Sequence, residues 1–353
     1  MNKLKALWTA DYRAEWSGWF HDNFEITRAG ANAGAGLKDM IKDPQRVLEL
    51  MQGQDVCIFG MEKITRDILC QCPDLKLILS VRDGPEENID IAACTELGLP
   101  VIFSAGRCMV SVAEFNILQM LELSRHVTHW SEKIRTESWR TRPMGDPYEK
   151  EHHELCGKTL SIIGFGRNGK YLATLAKAFG MKVVAYDPYV TQAQADEYGV
   201  TVMGLDDAIA AGDFVTLQAR VTPETEGMFG ARELKLMKPT AFLINCGRAQ
   251  LTDQQAVFEA LRNDVIKGAA IDVYMKEPWG DEIPEFADIP RAKLLLTPHC
   301  AGNARERELH MYENITESYA DFLRGVKSRI NNPKVFDSPN FEKRGGLLFG
   351  SVK

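Results

Sequence analysis

The sequence predicts an α/β protein of two parallel-sheet units, the larger of them doubly wound. Two observations carry this. Short apolar runs alternate with helix-forming segments through most of the 353 residues, which is how strands joined by crossover helices read. The stretch 159–187, TLSIIGFGRNGKYLATLAKAFGMKVVAYD, sets a strand, a glycine-rich turn, a helix and a second strand in immediate succession. The chain is also longer than the roughly 250–300 residues at which a single core stops growing, so two cores are expected.

In the first hundred residues the apolar runs 4–8, 24–27, 56–59, 75–81 and 101–104 read as strands. The segments 46–51, 64–70 and 89–97 between them can be helical, giving a small parallel unit. Ser111 is a plausible N-cap for one long helix over 111–135, SVAEFNILQMLELSRHVTHWSEKIR. It is longer than a crossover needs and is read as a link between the units. The polar stretch 136–158 reads as a long loop, an interface element or a lid. From Thr159 onward strands recur at 160–163, 182–186, 200–202, 214–217, 241–245, 269–273 and 294–297. A second amphipathic helix over 303–325 places Leu309, Tyr312, Ile315, Tyr319 and Phe322 on one stripe and returns the chain to the first unit. The expected division is therefore 1–110 with 304–353, and 111–303 inserted between them. The tail from Asn331 reads as irregular.

A net charge of −7 gives no general attraction to nucleic acid or to an anionic membrane. No apolar run approaches the ~18–20 residues of a membrane span, and residues 1–16 lack a signal-peptide pattern. A cytoplasmic protein is expected. The eight cysteines are scattered without metal-ligand spacing, and His152-His153 has no partner acid or thiol at such spacing, so reduced thiols and no metal are expected.

Gly164, Gly166 and Gly169 stand at G-x-G-x-x-G spacing directly after a strand. The first permits the turn, the second lets a pyrophosphate reach the backbone, and the third lets the helix approach the sheet. The helix start then offers unpaired N–H groups to phosphate. Asp187 ends the second strand, where a carboxylate can accept both hydroxyls of an adenosine ribose; Pro188-Tyr189 supplies no arginine for a 2′-phosphate. NAD is favoured over NADP.

Three segments fall at the carboxyl ends of later strands, where open α/β sheets bind ligands. They are LINCGRAQLTD around Arg248, AAIDVYMKEPW around Asp272 and Glu277, and LLLTPHCAGN around His299. Hydride exchange on a 2-keto acid calls for these side chains. An arginine offers the carboxylate two donors. A histidine can give the keto oxygen its proton, and Glu277 can hold the other ring nitrogen and fix the tautomer.

On these strings, together with SVAEF, GFGRNG, YDPY, TPETEG and MKPTAFLIN, the chain resembles the D-isomer-specific 2-hydroxyacid dehydrogenases over nearly its whole length. The resemblance implies a Rossmann cofactor domain and a smaller flavodoxin-like substrate domain, joined by two long helices. It implies an NAD-dependent interconversion of a small D-2-hydroxy acid and its 2-keto acid. His299 would be the acid/base, Glu277 its partner, and Arg248 the substrate's carboxylate ligand. Arg167 and Asn168 would lie over the pyrophosphate, Asp187 on the ribose, Asp272 near the nicotinamide amide, with backbone at Ala219, Cys246 and Gly302 beside the nicotinamide. The substrate carboxylate would also meet main-chain N–H groups around Gly84 and Pro85, and a homodimer is implied. The chain departs from the family at RDGPEENID, one residue shorter than the common R-x-G-x-G-x-D-N-I-D and without its second glycine. That alters the anion pocket, since proline donates no N–H. Arg107, Arg220 and Trp279 are further candidates for substrate contact, the arginines for a phosphate. The alternative reading is an NAD-sensing, corepressor-like interaction protein on the same fold.

Overall fold

The structure, a computed structural model, describes residues 3–10, 12–29, 41–137, 152–277, 286–327 and 330–346. In chain order its elements begin β1 Leu4–Trp8, α1 Gly18–Asn23, β2 Phe24–Arg28, α2 Pro44–Met51, β3 Val56–Phe59, α3 Arg66–Cys70, β4 Leu77–Ser80, α4 Ile91–Glu96 and β5 Val101–Phe103. Next come α5 Met109–Arg125, α6 Val127–Glu137, β6 Thr159–Ile163, α7 Arg167–Ala178, β7 Lys182–Tyr186, α8 Gln192–Asp196, β8 Thr201–Val202 and α9 Leu205–Ala211. The remainder is β9 Phe214–Leu217, α10 Ala231–Leu236, β10 Phe242–Asn245, α11 Gln254–Arg262, β11 Gly268–Ile271, β12 Leu294–Leu296, α12 Glu306–Leu323 and α13 Pro339–Lys343. The chain divides into two compact units, Met1–Cys108 with Arg305–Lys353, and Met109–Ala304.

The first unit is a five-stranded parallel sheet in the order β2-β1-β3-β4-β5. Successive strand residues point to opposite faces, so each strand feeds two cores. Ala6, Trp8, Val56, Ile58, Leu77 and Leu79 pack with Met311, Tyr312, Ile315, Tyr319 and Phe322 of α12. Leu7, Cys57, Phe59 and Ile78 pack on the other side with Val47, Met51, Ile68, Leu69 and Cys94 of the crossover helices. α1 is too short to have shown a periodic stripe, and Phe20 is its one buried residue.

The tail differs from the irregular segment expected. It forms a 3-10 turn at Pro333–Asp337 and then α13, with Val335 and Phe341 buried in the α12-side core. Side chains tie it to residues far back in the chain. Asn332 Oδ1 accepts the Val101 amide at 2.9 Å, and its Nδ2 donates to Leu99 O at 2.8 Å. Arg344 donates to the carbonyls of Leu97 and Leu75, each at 2.7 Å.

The second unit is a seven-stranded, all-parallel sheet in the order β12-β11-β10-β9-β6-β7-β8. The order turns back on itself at β6, the doubly wound arrangement that places a ligand crevice at the carboxyl ends of the central strands. The single helix expected over 111–135 is two. His126 takes a left-handed backbone with φ +51°, and its amide still bonds Glu122 O at 2.7 Å. The Glu122 carboxylate then accepts the Thr128 amide at 3.0 Å, capping α6. α5 itself begins at Met109, so Ser111 lies buried within its first turn and is not the cap. α5 belongs to the second unit and packs on α7; α12 belongs to the first. Most of the expected loop over 136–158 lies outside the described residues, as does Trp279.

Candidate functional site

The glycine-rich turn leaves β6 and enters α7. Gly164 has φ +99°, and a Cβ on it would sit 2.5 Å from the Ala219 backbone nitrogen, so the turn after β6 fits against the end of β9 only without a side chain. Gly169 is as constrained: a Cβ there would lie 2.6 Å from Gly164 O. Gly166 is the opposite case. It is the N-cap of α7, and a Cβ would meet nothing within 4 Å. The space over it is where a pyrophosphate can approach the first-turn N–H groups of Arg167, Asn168 and Gly169, which have no partner within the helix. Leu172, Ala173 and Ala176 hold the other face of α7 in the core.

Asp187 follows β7. Its Oδ2 accepts the Phe165 amide at 2.8 Å and its Oδ1 the Tyr189 amide at 2.9 Å, so the acid is fixed beside the glycine turn. These residues fit a dinucleotide: an open cradle at Gly166, a helix start beneath it, and an oriented carboxylate at the neighbouring strand end.

Across the sheet, Arg248 follows β10, Glu277 follows β11 and His299 follows β12, three adjacent strands. His299 Nδ1 and Glu277 Oε2 are 2.6 Å apart, and Glu277 Oε1 accepts the Tyr274 amide at 2.6 Å. The carboxylate is thereby aimed, and it orients the imidazole so that Nε2 is presented. His299 has φ +51°, a conformation that is costly for a residue other than glycine unless its surroundings enforce it. Asp272 does so. Its fully buried carboxylate accepts the Thr297 hydroxyl at 2.6 Å and the Cys300 amide at 3.0 Å on Oδ1, and the Ala301 amide at 2.9 Å on Oδ2. Every one of those bonds goes to the loop that carries His299. Gly302 follows directly on that loop.

Arg248 is half-buried, and its Nη1 donates to Gly247 O at 2.9 Å. The Asn245 side chain fixes the turn under it, donating to Arg248 O at 3.0 Å and accepting the Gly247 amide at 3.1 Å. Cys246 is buried and donates its thiol to Gln119 Oε1 at 2.8 Å, and burial pushes the thiol pKa up so that it stays neutral.

The sequence reading missed the residues that brace this rim. From α5, Asn116 accepts the Thr216 hydroxyl at 2.7 Å, while Gln119 donates to Thr297 at 3.4 Å. The Tyr274 hydroxyl donates to Ile271 O at 3.0 Å and Thr297 O at 2.9 Å. A signal was present: Asn116 and Gln119 are amides on the same helix face as Val112, Ala113 and Met120, and a buried amide needs a partner.

The remaining candidates are more scattered. Arg220 is exposed. In the first unit, Pro85 is buried and opens the 3-10 turn Pro85–Glu87 after Gly84. The amides of Asp83 and Gly84 have no acceptor among the described residues. Arg107 is half-buried near Arg82 and Arg307, in contrast to a solvated arginine. Among the described residues no cluster of His, Cys, Asp or Glu could hold a metal, and no helix is long and apolar enough to cross a membrane.

The family model "D-isomer specific 2-hydroxyacid dehydrogenase, NAD binding domain" matches residues 117–301. The chain is 34% identical over 274 residues to a D-3-phosphoglycerate dehydrogenase of Synechocystis, covering 77% of this chain and 47% of that protein. It is 34% identical over 276 residues to a glyoxylate reductase of Aeropyrum pernix, covering 78% and 81%. The chain spans about half the length of the phosphoglycerate dehydrogenases it matches. A crystal structure of a Pyrococcus horikoshii protein matches with a TM-score of 0.79 and 25% identity, covering 97% of this chain and 99% of that one.

Proposed function

Because the chain belongs to the D-isomer-specific 2-hydroxyacid dehydrogenase family and carries its NAD-binding domain, we propose that it interconverts a small D-2-hydroxy acid and its 2-keto acid. NAD(H), bound at Gly164, Gly166, Gly169 and Asp187, would supply or accept the hydride. His299 would protonate the keto oxygen during reduction and take the proton back during oxidation. Glu277 would hold the imidazole at Nδ1 and so fix which nitrogen faces the substrate. Arg248 would bind the substrate carboxylate as a two-donor fork. The observation that carries this reading is the 2.6 Å pair of His299 and Glu277, with the positive φ of His299 enforced by Asp272. A loop held that firmly in a costly conformation is better explained by a need for the imidazole's position than by packing. No observation favours the NAD-sensing alternative.

The test is NADH oxidation with a panel of glyoxylate, hydroxypyruvate, pyruvate and phosphohydroxypyruvate. Turnover of at least one, abolished in His299→Ala, is expected; silence across the panel at high enzyme concentration would end this reading. We also infer a homodimer in the cytoplasm. Val127 and Ile134 on α6 are 60% and 50% exposed beside a hollow lined by Leu121, Trp130 and His152, apolar surface that a second copy would cover. Eight free cysteines suit a reducing compartment. Light scattering of the purified chain checks the dimer, and a monomer at micromolar concentration would exclude it.

A further inference from the structure

Gln254 is the first residue of α11, and the start of that helix is firmly held. Asp253 donates its amide to Phe229 O at 3.1 Å and caps the helix by accepting the Ala256 amide at 3.1 Å, while Ala256, Val257 and Phe258 are buried. From this base the Gln254 side chain reaches the chain leaving β11. Its Nε2 donates to Val273 O at 3.1 Å, and its Oε1 accepts the Met275 amide at 3.3 Å. β11 ends at Ile271, so both backbone groups lie past the sheet ladder, and neither has another hydrogen-bond partner among the described residues. Glutamine is the side chain of this length that offers a donor and an acceptor on one planar group.

The peptide joining Val273 to Tyr274 connects this clamp to the site. The Val273 carbonyl and the Tyr274 amide belong to one planar, trans unit and so point to opposite sides of the chain. Fixing the carbonyl on Gln254 therefore aims the amide, which donates to Glu277 Oε1 at 2.6 Å. The other carboxylate oxygen of Glu277 lies 2.6 Å from His299 Nδ1. The Tyr274 hydroxyl, donating to Thr297 O at 2.9 Å, ties the same stretch to the loop that carries His299. The side chains of Glu277 and His299 are 33% and 48% exposed. A pair that open to water is worth too little to hold its own geometry, so its direction has to come from the backbone behind it.

We propose that Gln254 is a positioning residue for the reaction: by fixing the peptide between Val273 and Tyr274 it places Glu277, which holds the His299 ring at Nδ1 and leaves Nε2 for the substrate. Gln254 itself touches neither substrate nor cofactor in this role. The role in turnover rests on the dehydrogenase reading above; the hydrogen-bonded route from Gln254 to His299 does not.

The test has two arms. In the first, the ring nitrogens of His299 are read by nitrogen NMR in the full chain, at a pH that leaves imidazole neutral, with His299→Ala identifying the signals. The wild-type ring is expected to carry its proton chiefly on Nδ1. Gln254→Met, which keeps the length and loses both bonds, is expected to move it towards Nε2, as Glu277→Ala does. Ring signals unchanged in Gln254→Met overturn the role, whatever the rates show. In the second arm, kcat with NADH and a keto acid from the panel should fall about tenfold in Gln254→Met, with KM and the NADH dissociation constant little changed. Gln254→Glu, which keeps only the acceptor, should fall between. In a Glu277→Ala background the same Gln254→Met substitution should cost less than about twofold, because the route runs through Glu277. An equal cost in both backgrounds, or NADH affinity lost along with kcat, makes Gln254 a prop of α11 and overturns the role. Should Gln254→Met not fold, Gln254→Glu decides by the same readings. A ring that responds while no keto acid is turned over leaves the placement of Glu277 and removes the reaction; turnover with a ring indifferent to Gln254 does the reverse.

Discussion

Asp272 and Ala301 are joined at 2.9 Å, a buried carboxylate oxygen accepting the amide of the loop that carries His299. The other oxygen takes the Cys300 amide and the Thr297 hydroxyl. Asp272→Asn puts an NH2 group against one of these donors, leaving a buried donor unmade at a cost of roughly 1–3 kcal/mol. We expect kcat to fall ~10²-fold through misplacement of the imidazole, with NADH affinity little changed. Should NADH binding weaken as much as kcat, Asp272 is a cofactor contact, as the family resemblance implies.

The Glu277–His299 pair separates chemistry from binding. His299→Ala should lower kcat by ~10²–10⁴-fold and leave the NADH dissociation constant near the wild-type value. Glu277→Gln should lower kcat by less, since an amide can still hold the ring at Nδ1. Parallel loss of NADH affinity and kcat in His299→Ala would mean that the histidine is structural.

Arg248 is expected to act on the keto acid. Arg248→Ala should raise KM strongly, and Arg248→Lys should recover only part of it, because an ammonium cannot present a planar fork. An unchanged KM in the alanine variant removes Arg248 from the anion site.

Asp187 holds the Phe165 and Tyr189 amides with its two oxygens. Asp187→Ala should therefore weaken NADH binding and raise the NADPH/NADH ratio of kcat/KM, since like charge at the 2′ position is removed. Undiminished discrimination would show that the ribose is read elsewhere.

Alkaline stability should track Tyr319. Burial pushes its phenol up to about 12, against ~10 in an unfolded chain. The folded protein keeps a proton that the unfolded chain has already lost, so this contribution is whole below about pH 10 and declines as pH rises towards 12. Between those values the wild type should lose on the order of 2 kcal/mol more than Tyr319→Phe. Urea unfolding at pH 8 and pH 11.5 measures it, and parallel pH curves for the two proteins would refute it.

Much of both sheets was legible in the sequence because buried parallel strands announce themselves as apolar runs. The runs at 56–59 and 214–217 coincide with β3 and β9 at both ends. The glycine turn was legible because each glycine answers to a steric demand, open to check at Gly164 and Gly169. What was not legible depends on contacts distant in sequence. The break at His126 follows from one backbone conformation and the Glu122 cap, which an apolar stripe does not register. The tail is ordered by Asn332 and Arg344, whose partners lie some 230–270 residues earlier. Asn116 and Gln119 stand in an apolar helix face, and only the strand ends they meet explain them.

The first unit draws on both ends of the chain, and this has a bearing on its synthesis. The second unit, Met109–Ala304, is contiguous and is synthesised in full before α12. The strands β1–β5 are made before both, yet the face carrying Trp8 and Ile58 is covered only in part, by α1, until Tyr312, Phe322 and Phe341 arrive. A chain released near residue 304 should thus carry a folded second unit and a sticky, half-covered sheet, the kind of surface that chaperones capture.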